Sequence, residues 1–221
     1  MSNKSTPGPR LDVEARREHL LKVGCELFAA QPYGDVWIDD VAGRAGVSRG
    51  LLYHYFGNKR DFLITVVEQE AARLREATAV GDGLPYKERL LTILDAYLAY
   101  VETRPHGYRA LYRGAPSSDA GVRAIMERNQ AYQENRILEA LTRGGEEPPA
   151  LVRLAVRGWL AFLVSVCLNW LDSPGLPREQ VRDLCAHQLG AAILSTGHPL
   201  PDGVRVTFRY ADEIPEQARV V

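Results

Sequence analysis

Ala45-Gly46-Val47-Ser48-Arg49-Gly50-Leu51-Leu52-Tyr53-His54-Tyr55-Phe56, with Lys59 close behind, joins two short helical patterns through a glycine and a serine. Gly46 suits the left-handed position that closes a helix, and the Ser48 hydroxyl suits the cap of the next one. In that next helix Leu52, Tyr55 and Phe56 can face a core, while Arg49, Gly50, Tyr53 and His54 lie largely on the other side. A short helix seated by apolar residues and presenting a cation, a hydroxyl and an imidazole is the second member of a helix-turn-helix, which enters the DNA major groove.

Upstream, Leu20, Val23 and Leu27 recur at helical spacing, with Leu21 and Phe28 widening the stripe, so a helix is expected from Val13 to Ala30. Gln31-Pro32-Tyr33-Gly34 stops it. A second helix is expected from Ile38 to Ala45, with Asp39 and Asp40 in its first turn at the positive end of the dipole. Helices that read DNA use their N-terminal residues on base edges while flanking groups grip phosphates. Arg49 is therefore the candidate for paired donors to a guanine, Gly50 for close approach, Tyr53 and His54 for phosphates or a thymine methyl, and Lys59 for a phosphate.

Ile38-Asp39-Asp40-Val41-Ala42, Ala45 through Gly50, Leu52 through Phe56, and Lys59 together resemble the TetR family of one-component transcriptional regulators. The resemblance implies a homodimer with an N-terminal DNA-binding domain and a C-terminal ligand-sensing domain, in which a bound small molecule releases the operator. Two departures from the pattern involve three residues. Val36 and Trp37 stand where the family often has small hydroxyl residues, and Leu51 follows the glycine where a small or hydroxyl residue is common. The expected DNA-contacting set is thus Trp37, Ser48, Arg49, Gly50, Leu51, Tyr53, His54 and Lys59.

Gly46-Val47-Ser48-Arg49-Gly50 also spells G-x-S-x-G, the nucleophile elbow of serine hydrolases. That motif needs a buried strand before it, and the residues before Gly46 are helical in pattern. No catalytic residue, cofactor or metal is expected; Cys185-x-His187 alone is too sparse for a metal site. A helical protein-interaction scaffold without DNA binding stays open as an alternative.

Composition is that of a globular protein, with 46% hydrophobic and 25% charged residues and a net charge of -1. Residues 1–60 carry nine Lys/Arg against seven Asp/Glu, an excess of two. Lys4 and Arg10 could form a basic arm or simply a solvated tail. Cys25, Cys167 and Cys185 are an odd number in apolar contexts, which suggests reduced thiols in the cytoplasm. The polar residues 1–12 do not read as a signal peptide. Leu154–Leu171 is apolar enough to prompt a membrane reading, but Arg157 and Asn169 argue for a buried helix at a subunit interface and no membrane.

The remainder reads as further helices, so the fold expected is all-α: a three-helix reader over residues 12–60, a helical ligand-binding and dimerisation domain over 61–196, and a tail or short hairpin arm over 197–221. The helices are Asn58–Ala79, Tyr86–Glu102, Tyr108–Tyr112, Asp119–Thr142, Leu151–Leu171 and Arg178–Leu194. Arg104-Pro105-His106-Gly107 is taken as a break, and Ile125, Met126, Asn129, Tyr132, Ile137 and Leu138 as an inner face. The family resemblance places the dimer seam on the last two helices. Tyr97, Tyr108, Tyr112, Asn129, Trp159, Phe162 and Asn169 would suit a small hydrophobic effector with a few polar anchors. Val101-Glu102, His106-Gly107-Tyr108-Arg109 and Leu111 also resemble acyl-CoA-responsive regulators of fatty acid synthesis, which makes acyl-CoA a candidate effector. Val204, Val206, Phe208 and Tyr210 alternate as a strand would.

Overall fold

A computed structural model describes residues 12–31, 35–81, 83–113, 119–142, 147–173 and 175–204. The described residues form nine α-helices and no strand: α1 Val13–Ala30, α2 Ile38–Arg44, α3 Arg49–Phe56, α4 Lys59–Ala77, α5 Tyr86–Thr103, α6 Pro105–Arg113, α7 Ala120–Thr142, α8 Ala150–Trp170 and α9 Arg178–Leu194. A 3-10 turn, Pro201–Gly203, follows. Most of the alternating stretch after Gly203 lies outside the described residues.

Two compact units emerge, Met1–Arg73 with Thr103–Met126, and Leu74–Glu102 with Glu127–Val221. In the first, Leu20, Cys25, Val41, Leu52 and Phe62 are wholly buried in one core that joins α1, α2, α3 and α4. Phe56 meets Phe62 edge-on at 4.9 Å. Gly24 makes this approach possible: a Cβ there would lie 2.5 Å from the Phe62 ring. α6 also packs on α1. It starts at Pro105, not at Tyr108 as the sequence suggested, with only Arg104 between it and α5. The first residue of a helix has no helical acceptor for its N–H, so proline opens a helix there rather than ending one.

A buried carboxylate fastens this unit. Glu70, on α4, accepts from Arg73 at 2.8 Å and from Arg104 at 2.9 Å. The nearby Cys25 thiol is pushed up to about 12, first by burial and then by the Glu70 charge.

In the second unit α8 packs on α9, and the Trp159 indole N–H donates to the Cys185 carbonyl at 2.9 Å. Arg182 and Arg178 on α9 pair with Asp95 and Glu102 on α5. Glu134 on α7 takes hydrogen bonds from Arg153 and Arg157 on α8 at 3.2 and 2.8 Å. Burial alone would raise the Glu134 carboxyl, yet the two guanidinium groups together hold it below its ordinary range. Tyr132, expected inside, is instead exposed, with Arg75 and Arg136 over its ring. A phenol ring flanked by two cations keeps its apolar faces covered without entering the core. α8 is long and apolar enough to cross a membrane by length and composition, with a mean hydropathy of 1.9. Its buried face, Val152, Val156, Leu160, Leu163 and Cys167, belongs to the protein interior.

Candidate nucleic-acid interface

The turn before α3 is built as its residues require. Gly46 has φ 67°, and the Val47 N–H reaches the Ala42 carbonyl at 2.9 Å, closing α2. The Ser48 hydroxyl accepts from the Leu51 N–H at 3.2 Å and caps α3. The residue before this turn is helical, so Ser48 is a cap and not the strained serine of a strand–turn–helix elbow. Leu52 and Phe56 anchor α3 to the core; Tyr55 is half-buried beside them.

The opposite side of α3 faces outward. The Arg49 guanidinium spans two partners, with Nη1 3.4 Å from Asp39 Oδ2 and Nη2 3.3 Å from the Tyr53 hydroxyl. These contacts, Tyr53 first and Asp39 second, raise its pKa above the usual arginine value. His54 is exposed, its ring edge-on to Tyr55. A Cβ on Gly50 would meet nothing nearer than the Ser48 hydroxyl at 3.9 Å, so no protein neighbour demands glycine there. Leu51 is half-buried. Lys59 opens α4, its ammonium 5.6 Å from the centre of the Trp37 ring. Trp37 is 64% exposed at the start of α2, where the Asp40 carboxylate accepts from its backbone N–H at 3.3 Å.

The structure therefore gathers Arg49 with Tyr53, and Trp37 with Lys59. Asp39, legible in the sequence only as a first-turn carboxylate, joins this face through a pairing with Arg49 that spans two helices and depends on the angle between them. The effector residues divide between the units. Tyr108 and Tyr112, with rings 4.8 Å apart, lie in the first. Tyr97, Asn129, Trp159, Phe162 and Asn169 lie in the second. Tyr97 and Asn129 are buried, and the Asn129 carboxamide oxygen has no hydrogen-bond partner. Phe162 is half-buried; Asn169 is exposed and donates back to the Ser165 carbonyl at 2.8 Å. An open groove of about 490 Å³ at the start of α8 is lined by Glu147, Arg153, Leu154 and Arg157 and none of those seven.

Helical throughout its described elements, with a capped α3 that turns polar side chains outward beside α2, the N-terminal unit has the geometry of a helix-turn-helix DNA-binding domain. The family described as "Bacterial regulatory proteins, tetR family" matches residues 20–66, and "Tetracyclin repressor-like, C-terminal domain" matches residues 86–192. A TetR-family transcriptional regulator from Streptomyces coelicolor, solved by crystallography, superposes with a TM-score of 0.79 at 30% identity, covering 85% of this chain and 84% of its own. The transcriptional activator FasR of Mycolicibacterium smegmatis is 24% identical over 75% of this chain and 77% of its own length. The transcriptional regulator HbdR of an Aromatoleum species is 34% identical over 62% of each chain. The chain belongs to the TetR family: it is a transcriptional regulator with an N-terminal DNA-binding domain, and not an enzyme.

Proposed function

We infer that the protein is a ligand-controlled repressor in the cytoplasm that grips a palindromic operator as a homodimer and lets go when a small hydrophobic molecule binds. The observation that carries the reading is the outward face of α3: Arg49 and His54 are exposed on a helix that the core holds by its other side, and the hydroxyl of the half-buried Tyr53 accepts from Arg49. In this reading Arg49 reads a guanine, Gly50 and Leu51 meet the groove floor, and Ser48, Tyr53, His54, Lys59 and Trp37 hold phosphates and sugars.

Two readers must stand roughly 34 Å apart to meet successive major grooves, which requires a second copy. α8 supports this with an exposed stripe of Leu151, Leu154, Gly158, Ala161 and Ser165, and α9 with exposed Leu184 and Leu194. Apolar and small residues at this spacing suit an intermolecular helical bundle, and its burial stabilises by about 25 cal/mol per Å². Tyr97, Tyr108, Tyr112, Asn129, Trp159, Phe162 and Asn169 are the candidate effector contacts, and acyl-CoA is the candidate effector through the Val101–Leu111 resemblance. A coupling of about 1–3 kcal/mol between effector and operator changes DNA affinity some 5–150-fold, enough for a switch.

The test is selection of duplexes from random DNA by the full-length chain, followed by titration of the selected duplex with long-chain acyl-CoA. Enrichment of a palindrome and its release by the acyl-CoA support the reading. Absence of any enriched sequence refutes it, and retention of the duplex removes acyl-CoA as effector.

A further inference from the structure

A carboxylate on a surface that meets phosphates is electrostatically misplaced unless it acts on something there. Asp39 is such a group, its side chain 65% exposed and in contact with Arg49. The dipole of α2 favours a carboxylate in this turn, and both Asp39 and Asp40 supply one; Asp40 takes the Trp37 N–H, and Asp39 reaches Arg49.

We propose that Asp39 is a specificity-determining positioning residue, which aims the Arg49 guanidinium at a guanine while Tyr53 steadies its other end. Asp39 Oδ2 accepts from Nη1 and the Tyr53 hydroxyl accepts from Nη2. Each Nη carries a second N–H, so the fork stays available to guanine O6 and N7. A free arginine samples many rotamers and can swing to a phosphate instead of a base. One held at both ends before the duplex arrives loses less freedom on binding and keeps its planar orientation. As DNA displaces water around the pair, the local dielectric falls and the carboxylate's hold tightens. The inference rests on Arg49 being the base-reading residue of the preceding section.

The experiment compares the full-length wild type, Asp39→Asn, Tyr53→Phe, Arg49→Ala and the Asp39→Asn/Arg49→Ala double variant. Each is titrated against a duplex selected from random DNA and against a scrambled duplex of the same length. Circular dichroism first establishes that each variant is folded. If Asp39 aims Arg49, Asp39→Asn narrows the affinity ratio of selected to scrambled duplex about five- to tenfold. The narrowing falls at the base pair that Arg49→Ala relaxes, and Asp39→Asn has no further effect in the Arg49→Ala background. Tyr53→Phe, which alters no charge, narrows the same ratio about two- to threefold. Equal tightening on both duplexes overturns the inference, because Asp39 would then only repel phosphates. A full additional effect in the Arg49→Ala background also overturns it, since Asp39 would be reading a base of its own. If Arg49→Ala leaves the ratio intact, the base-reading role of Arg49 fails first, and the aim assigned to Asp39 goes with it.

Discussion

Replacing Glu70 by leucine leaves two partly buried guanidinium groups facing an apolar side chain. The Glu70 side chain is 11% exposed, those of Arg104 and Arg73 25% and 31%. Breaking a fully buried pair costs about 3–5 kcal/mol, chiefly through the charge left behind. Here water reaches a quarter to a third of each arginine, so the loss should be about 2 kcal/mol. With a urea slope of about 2 kcal/mol per molar, the unfolding midpoint should fall by about 1 M. The assay is equilibrium urea unfolding of wild type, Glu70→Leu, Arg104→Leu and the double variant. The double variant strands only Arg73, where Glu70→Leu alone strands both arginines, so it should be less destabilised than the two single losses added together, by about 1 kcal/mol. A loss below about 0.5 kcal/mol for Glu70→Leu, or strictly additive losses, refutes the claim that Glu70 fastens α4 to Arg104.

Further consequences follow for other sites. The Glu134 carboxyl is held below its ordinary value of 4.5, so its ion pairs stabilise the fold fully above that pH and lose their contribution as pH falls through the lowered value. Glu134→Gln should accordingly be less stable than wild type at pH 6, with the gap closing toward pH 3 in urea titrations; a gap independent of pH contradicts the assignment. Asn129→Leu removes a buried acceptor that has no partner and should raise the melting temperature by a few degrees, from about 1 kcal/mol. If Asn129 anchors the effector, the same variant weakens acyl-CoA-induced release, measured by gel shift. Lys59→Ala should weaken selected and scrambled duplexes alike and lower the salt slope of a bound dimer by about 2, one phosphate contact per protomer. An unchanged slope would remove Lys59 from the phosphate contacts.

The elements legible in the sequence were those that carry their own punctuation. α1 and α9 begin and end where periodicity and breakers put them, and Gly46 and Ser48 perform the turn and cap that their side chains suit. The start of α6 was obscured because Pro105 reads as a breaker when the chain is scanned forward, although proline is favoured at a first helical position. Periodicity could not reveal Glu70 or Glu134 as buried charges. Glutamate is a good helix former on any face, and its partners Arg104, Arg153 and Arg157 are distant in sequence. The role of Asp39 was hidden for the same reason: it depends on how α2 and α3 cross, which no local pattern records. The seven effector candidates were chosen by residue type on helical faces, and residue type alone does not say into which unit a face is packed. Trp159 shows the difficulty, for its one polar atom is spent on the Cys185 carbonyl.

Sedimentation equilibrium of the full-length chain, alone and with a duplex selected from random DNA, examines the central claim most directly. Two protomers associated through α8 and α9 should occupy each palindrome, and lengthening the spacer between half-sites by half a helical turn should abolish tight binding. A chain that stays monomeric, or a complex indifferent to that spacer, would contradict it.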